Sequence, residues 1–139
     1  MNEDPHREII EEHARHPRNK RELPNPDLTG SYRSSKTGND AKVYLRLDDV
    51  GKVREATFTG QGSALSQASG SLLTTHATGL TLDELHRLAE KVESALLQGA
   101  EDILPGETDV YRALSRFPER HDCALLAWRA LKCVPASSG

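Results

Sequence analysis

The chain has 139 residues, enough for one domain with a genuine core. Only 36% of them are hydrophobic and 4% aromatic, so that core is expected to be aliphatic and modest in size. The 18 basic and 21 acidic residues give a net charge of −3, no electrostatic footprint for nucleic acid or an anionic membrane, and no apolar run approaches the ~20 residues of a membrane-spanning helix.

The opening, "MNEDPHREIIEEH", is acidic and has no apolar h-region, which predicts no secretory signal and a cytoplasmic location. Residues 1–16 should form the N-terminal helix, from Asp4 as cap to His16, with Pro5 in the first turn and Pro17 as the stop. His13 and His16 sit three apart on it and read as a solvated face. The Pro- and Asn-rich "HPRNKRELPNPDLTG" reads as loop. Residues 30–60 carry the sheet. In "KVYLRLDD", Val43, Leu45 and Leu47 alternate with Tyr44 and Arg46, as in a half-buried strand. "DDVGK" is a turn, "VREATFTG" the antiparallel partner, and a shorter strand before "SSKTGND" completes three.

Residues 63–132 read as helical. "SALSQASGSLLTTHATG" places Leu65, Ala68, Leu72 and His76 on one stripe, His76 as a core histidine, with Gly79 as C-cap. Thr81 and Glu84 make a capping box for a helix carrying Leu82, Leu85, Leu88, Val92 and Leu96 up to Gly99. A linker, "EDILPGETD", leads to a short helix at Val110 to Ser115, and the last helix runs from Cys123 to Lys132. Residues 133–139 form the tail. The sum is one α+β domain over 1–139, a small three-stranded antiparallel sheet packed against several helices.

Both cysteines fall in "RHDCALLAWRALKC". Ten residues of helix separate Cys123 from Cys133 by ~15 Å, beyond the ~7 Å that a disulfide allows between Cα atoms, so both thiols should be free. Cys133 has no partner in the pattern. The glycines of "TGQG" read as a sharp turn from strand to helix, since neither a lysine nor a GxGxxG pattern accompanies them.

The order of "REIIEEHARHPRN", "GKVREATFTGQG", "SALSQASGSLL" and "FPERHDCALLAW" resembles the SufU branch of the iron–sulfur scaffold family, which comprises SufU, IscU and the N-terminal domain of NifU. The likeness spans nearly the whole chain, including a SufU-type spacer before "FPERHDC". In that family three loops read roughly Asn-Pro-Thr-Cys-Gly-Asp, Gly-Glu-Gly-Cys-Ala-Ile-Ser and Phe-Pro-Ala-Arg-x-Lys-Cys-Ala, and the three cysteines and the aspartate hold zinc or a nascent cluster. Here Gly38 stands at the first cysteine position and Ser63 at the second. Asp40 and Cys123 are retained, and Asp122 replaces the usual lysine.

The resemblance thus implies a scaffold with a reduced metal site. Asp40 and Cys123 are its retained ligands, with Asp122, His121 and Ser63 as further donors, for zinc, an iron–sulfur cluster, or no metal at all. Thiolate is the soft donor of such sites, Gly38 offers no side chain, and a serine hydroxyl keeps its proton near neutral pH. Cys123 is also the candidate sulfur acceptor. The implied partners are a cysteine desulfurase and apo iron–sulfur proteins, and a homodimer would pool two Cys123 and two Asp40. The alternative is a non-catalytic paralogue that docks to a desulfurase or another assembly factor as a regulator. A thiol enzyme using Cys123 is the third reading, with only His121 near it in sequence to act as base. A scaffold or sulfur acceptor, rather than a catalyst, fits the residues best.

Overall fold

The computed structural model describes residues 5–135. Its elements run α1 (Pro5–Arg15), β1 (Leu28–Arg33), β2 (Asp40–Leu47), β3 (Val53–Gln61), α2 (Ala64–Ala77), α3 (Leu82–Gln98), a 3-10 turn (Gly106–Asp109), α4 (Val110–Ala113), a second 3-10 turn (Pro118–Arg120) and α5 (His121–Lys132). The three strands form one antiparallel sheet in the order β1-β2-β3. The helices cover one face of it, which makes the α+β architecture that the sequence pattern predicts.

Strand pairing decides which side chains meet the helices. Val43 lies opposite Phe58, and Leu45 opposite Ala56, and all four are buried. The period-2 pattern puts these on one face. Tyr44, expected to alternate outward, is also buried, at 8% exposure. Its hydroxyl meets Thr59 Oγ1 at 3.2 Å, so the outer face is partly shielded there. β1 starts at Leu28, inside the stretch read as loop. Its Gly30 allows α5 to cross directly over the strand, because a Cβ there would fall 2.3 Å from the Ala130 carbonyl oxygen.

α3 follows its sequence signals closely. Thr81 caps it, Glu84 returns the capping-box bond, and Gly99 closes it in the left-handed conformation. Leu85, Leu88, Val92 and Leu96 are buried, each worth roughly 1.5–3 kcal/mol of burial. α2 ends differently from expectation: Thr78, in extended conformation, is its C-cap. Gly79 (φ +90°) instead donates its N–H to Val53 O, tying the helix exit to β3.

The two histidines predicted on the first helix divide, His16 lying just past the end of α1. His16 is exposed as expected, but His13 is buried at 3% exposure. Its Nδ1 pairs with Ser71 Oγ at 2.6 Å, and its Nε2–H donates to Glu107 Oε1 at 2.8 Å. The Arg18 N–H also donates to Ser71 Oγ, at 2.9 Å. His13 therefore pins α1 to α2 and to the 3-10 turn, and the solvated-face reading fails for it because partners from distant segments satisfy both ring nitrogens. His76 is half-buried rather than core, with Nδ1–H donating to Leu72 O and Nε2 accepting from the Glu107 N–H. The cap assigned to Asp4 and the last four tail residues lie outside the described residues.

α5 begins at His121, two residues before the predicted start, because Pro118–Arg120 already turns as a 3-10 helix that runs into it. Its Trp128 Nε1–H donates to Tyr111 OH at 2.8 Å, and that hydroxyl donates to Ser69 Oγ at 2.9 Å. All three residues are essentially fully buried. Burial pushes the Tyr111 phenol up from 10.0 to about 12, against the smaller downward pull of its two hydrogen bonds. No helix among the described residues is long and apolar enough to cross a membrane.

Candidate functional site

Three loop-to-element junctions meet at one end of the sheet. The first is the β1–β2 hairpin, which Ser34 organises. Its N–H donates to Asn39 O, its carbonyl accepts from Gly38 N–H, and its Oγ accepts from the N–H groups of Lys36 and Thr37. Gly38 sits at φ +76°, a region that side chains populate only with strain. The second junction is the turn from β3 into α2. There Ser63 is the N-cap, its Oγ accepting from Ser66 N–H at 3.2 Å. A Cβ on Gly62 would lie 3.4 Å from Asn39 Cβ, so this turn packs beside the hairpin.

The third junction is the first turn of α5, where Asp122 joins it to the hairpin. Ser34 Oγ–H donates to Asp122 Oδ2 at 2.6 Å, and Arg129 Nη1–H donates to Oδ1 at 3.0 Å. The Arg129 guanidinium also lies 5.9 Å from the Tyr32 ring centroid, reaching β1. Asp122 is the acidic residue in the first turn of α5, where the helix dipole favours it. With a side chain only 14% exposed, its carboxylate is spent on these contacts.

Cys123, one residue on, is half-buried and free. It lines a cleft of about 680 Å³ together with Ser63. The opposite wall is α1, through Ile10 and Ala14, and Leu65, Leu114 and Phe117 add apolar surface. Arg7, Glu11, Glu119 and Arg120 also line it. The volume is in the range of small-ligand sites. Arg116 and Arg120 stack on Phe117, 5.7 and 5.0 Å from its centroid.

The predicted site residues therefore separate. Ser63 and Cys123 share the cleft. Asp40 does not line it; its Oδ1 accepts from the Gln61 N–H at 3.1 Å across the β2–β3 ladder. His121 Nε2–H donates to the carbonyls of Leu114 and Ser115, both at 3.1 Å, which fixes the ring against the α4 exit. Among the described residues, no three His, Cys, Asp or Glu side chains are grouped so as to hold a metal ion. Cys133 is exposed and free. Sequence reasoning missed the α1 wall and the Ser34–Asp122–Arg129 cluster. The seven-residue spacing of Asp122 and Arg129, two helical turns, was the available signal for half of that cluster.

A sheet of three antiparallel strands under five helices, with three loops converging beside one cysteine, defines a scaffold-type fold. Residues 5–134 match the NifU-like N-terminal domain, and the chain belongs to that family. It is 31% identical over 131 residues to the zinc-dependent sulfurtransferase SufU of Bacillus subtilis (strain 168), covering 91% of this chain and 86% of that one. It is 27% identical over 127 residues to the iron–sulfur cluster assembly scaffold protein IscU of Streptococcus pyogenes serotype M1, covering 89% and 78%. Among solved structures it is similar to an N-terminal NifU-like protein from Brucella abortus, with a TM-score of 0.77, 26% identity and 90% and 88% coverage. The fold is also that of a putative SUF-system scaffold from Fervidobacterium islandicum AW-1, with a TM-score of 0.81, 23% identity and 90% and 92% coverage.

Proposed function

We propose that this chain is a scaffold-type protein of iron–sulfur cluster assembly that takes up sulfur at Cys123. The observation that carries the reading is the placement of this thiol, at the third family cysteine position, in the wall of an open cleft. The partner implied is a cysteine desulfurase bearing a persulfide. The Cys123 thiol gives its proton to solvent, and the thiolate attacks the outer sulfur of that persulfide. A new S–S bond forms on Cys123, the S–S bond on the desulfurase breaks, and its cysteine leaves as thiolate. No oxidant is consumed.

Iron and the finished cluster are cargo, and apo iron–sulfur proteins are the recipients. A [2Fe–2S] cluster takes four ligands, usually thiolates, whereas the cleft presents one thiolate residue. A cluster held here must draw ligands from a second molecule, and a second copy bringing its own Cys123 is the simplest source. Size-exclusion chromatography of cluster-loaded protein should show a dimer, and a loaded monomer would refute that requirement.

The direct test is to incubate the protein with a cysteine desulfurase and cysteine, then map sulfur by peptide mass spectrometry. One added sulfur on the Cys123 peptide, released by dithiothreitol and absent in Cys123→Ala, is expected. Exposed Cys133 is the internal control. Sulfur found only on Cys133, or on neither cysteine, would sink the reading.

A further inference from the structure

We infer that hydrogen bonds centred on Asp122 join the β1–β2 hairpin to the start of α5 without a resident metal ion, leaving Cys123 ligand-free and open to sulfur at all times. This rests on the reading of Cys123 as sulfur acceptor.

The donor set is the first argument. A tetrahedral zinc site needs at least three protein donors converging on one point. Of the five candidates, Asp122 has both oxygens engaged by Ser34 and Arg129. His121 donates its Nε2–H to two backbone carbonyls and keeps only Nδ1 as a metal donor, and Asp40 accepts from the Gln61 N–H through one oxygen. Neither lines the cleft, and among the described residues no three His, Cys, Asp or Glu side chains are grouped so as to hold a metal ion. The candidates that do share the cleft are the Ser63 hydroxyl, which already caps α2, and the Cys123 thiol. One thiolate and one protonated hydroxyl do not make a zinc site.

The second argument is what occupies the place of a metal's structural work. An ion shared by several loops staples them together. Here Ser34 does this from the hairpin side: its hydroxyl uses its single proton on Asp122 and its lone pairs on the N–H groups of Lys36 and Thr37. Arg129 does it from the helix side, neutralising the carboxylate and lying against Tyr32 of β1. A charge-assisted cluster of this kind is the strong class of hydrogen bond. The hairpin, moreover, is wound through Gly38 at φ +76°, so its backbone is not one that a side-chain ligand at that position would adopt without strain. The hairpin and the start of α5 are joined by the chain itself.

The experiment has three readouts on the full chain. Zinc titration followed by gel filtration and elemental analysis should leave far less than one zinc per chain. Thermal melts should coincide with and without a chelator. Asp122→Asn and Ser34→Ala should each lower the melting temperature by roughly 3 to 8 °C. Stoichiometric zinc that survives gel filtration, a melt lowered by the chelator, or unchanged melting of both variants would overturn the inference. Sulfur loading of Cys123 by desulfurase should proceed equally with chelator and with added zinc. Loading that one of them abolishes counts against metal independence, whereas loading absent under every condition counts against sulfur acceptance alone, which the melts and titration do not depend on.

Discussion

α5 carries two polar clusters of opposite character. In its interior, Trp128, Tyr111 and Ser69 form a neutral chain of hydrogen bonds, fully buried, that binds helix to helix. At its first turn, Asp122, Ser34 and Arg129 form a charged cluster, partly solvated, that binds helix to loop. The neutral chain sits where any lost partner leaves a desolvated polar group. The charged one sits where water can partly replace what is removed. The difference teaches where each cluster acts: the first ties the helices to one another, and the second seats the β1–β2 hairpin on the start of α5, one residue from Cys123.

The largest break in that comparison should come from Trp128→Ala. Removing a fully buried tryptophan is expected to cost ~3–5 kcal/mol in urea unfolding. A loss under ~1 kcal/mol would mean the neutral chain is not a stability centre. Tyr111→Phe keeps the ring but strands the Trp128 N–H, and should cost ~1–3 kcal/mol. Asp122→Asn should cost less, ~1–2 kcal/mol, because its partners are partly exposed. If it exceeded Tyr111→Phe, the ranking of the two clusters would be reversed.

Alkaline titration sharpens the contrast further. The folded state holds the Tyr111 proton more tightly than the unfolded chain, about 12 against 10.0. Its contribution to stability is therefore complete below pH 10 and drains away as pH rises from 10 towards 12. At about pH 10.5 the expected loss is under ~1 kcal/mol, and it should vanish in Tyr111→Phe. An equal alkaline loss in that variant would assign the effect elsewhere.

The parts of the molecule written in local code were legible. α3 announced its start through Thr81 and Glu84, its face through five leucine and valine positions, and its end through Gly99. The second and third strands and their antiparallel pairing followed from period-2 alternation and the "DDVGK" turn. What depended on distant segments was not legible in the same way. His13 and His16 look alike in the pattern that predicts the first helix, yet only His13 meets Ser71 and Glu107, and nothing near it in sequence says so. Tyr44 alternates outward by pattern and is nonetheless covered. The resemblance singled out Cys123, Ser63 and Asp40, but not the orientation of each donor. Asp122 reads as a spare ligand until Ser34, 88 residues earlier, is seen to occupy it.

The pin at His13 has a consequence for how the molecule is made. Its carboxylate partner lies 94 residues further along the chain, and the cleft beside Cys123 needs α1 as one wall and the start of α5 as the other. During synthesis from the N-terminus, α1 emerges first but has nowhere complete to settle. It packs chiefly on α2, but Glu107 and the far wall of the cleft arrive only with the 3-10 turn and the start of α5. The cleft is thus among the final features to exist, and a nascent chain stalled before residue 123 has α1 docked on α2 but no thiol to offer.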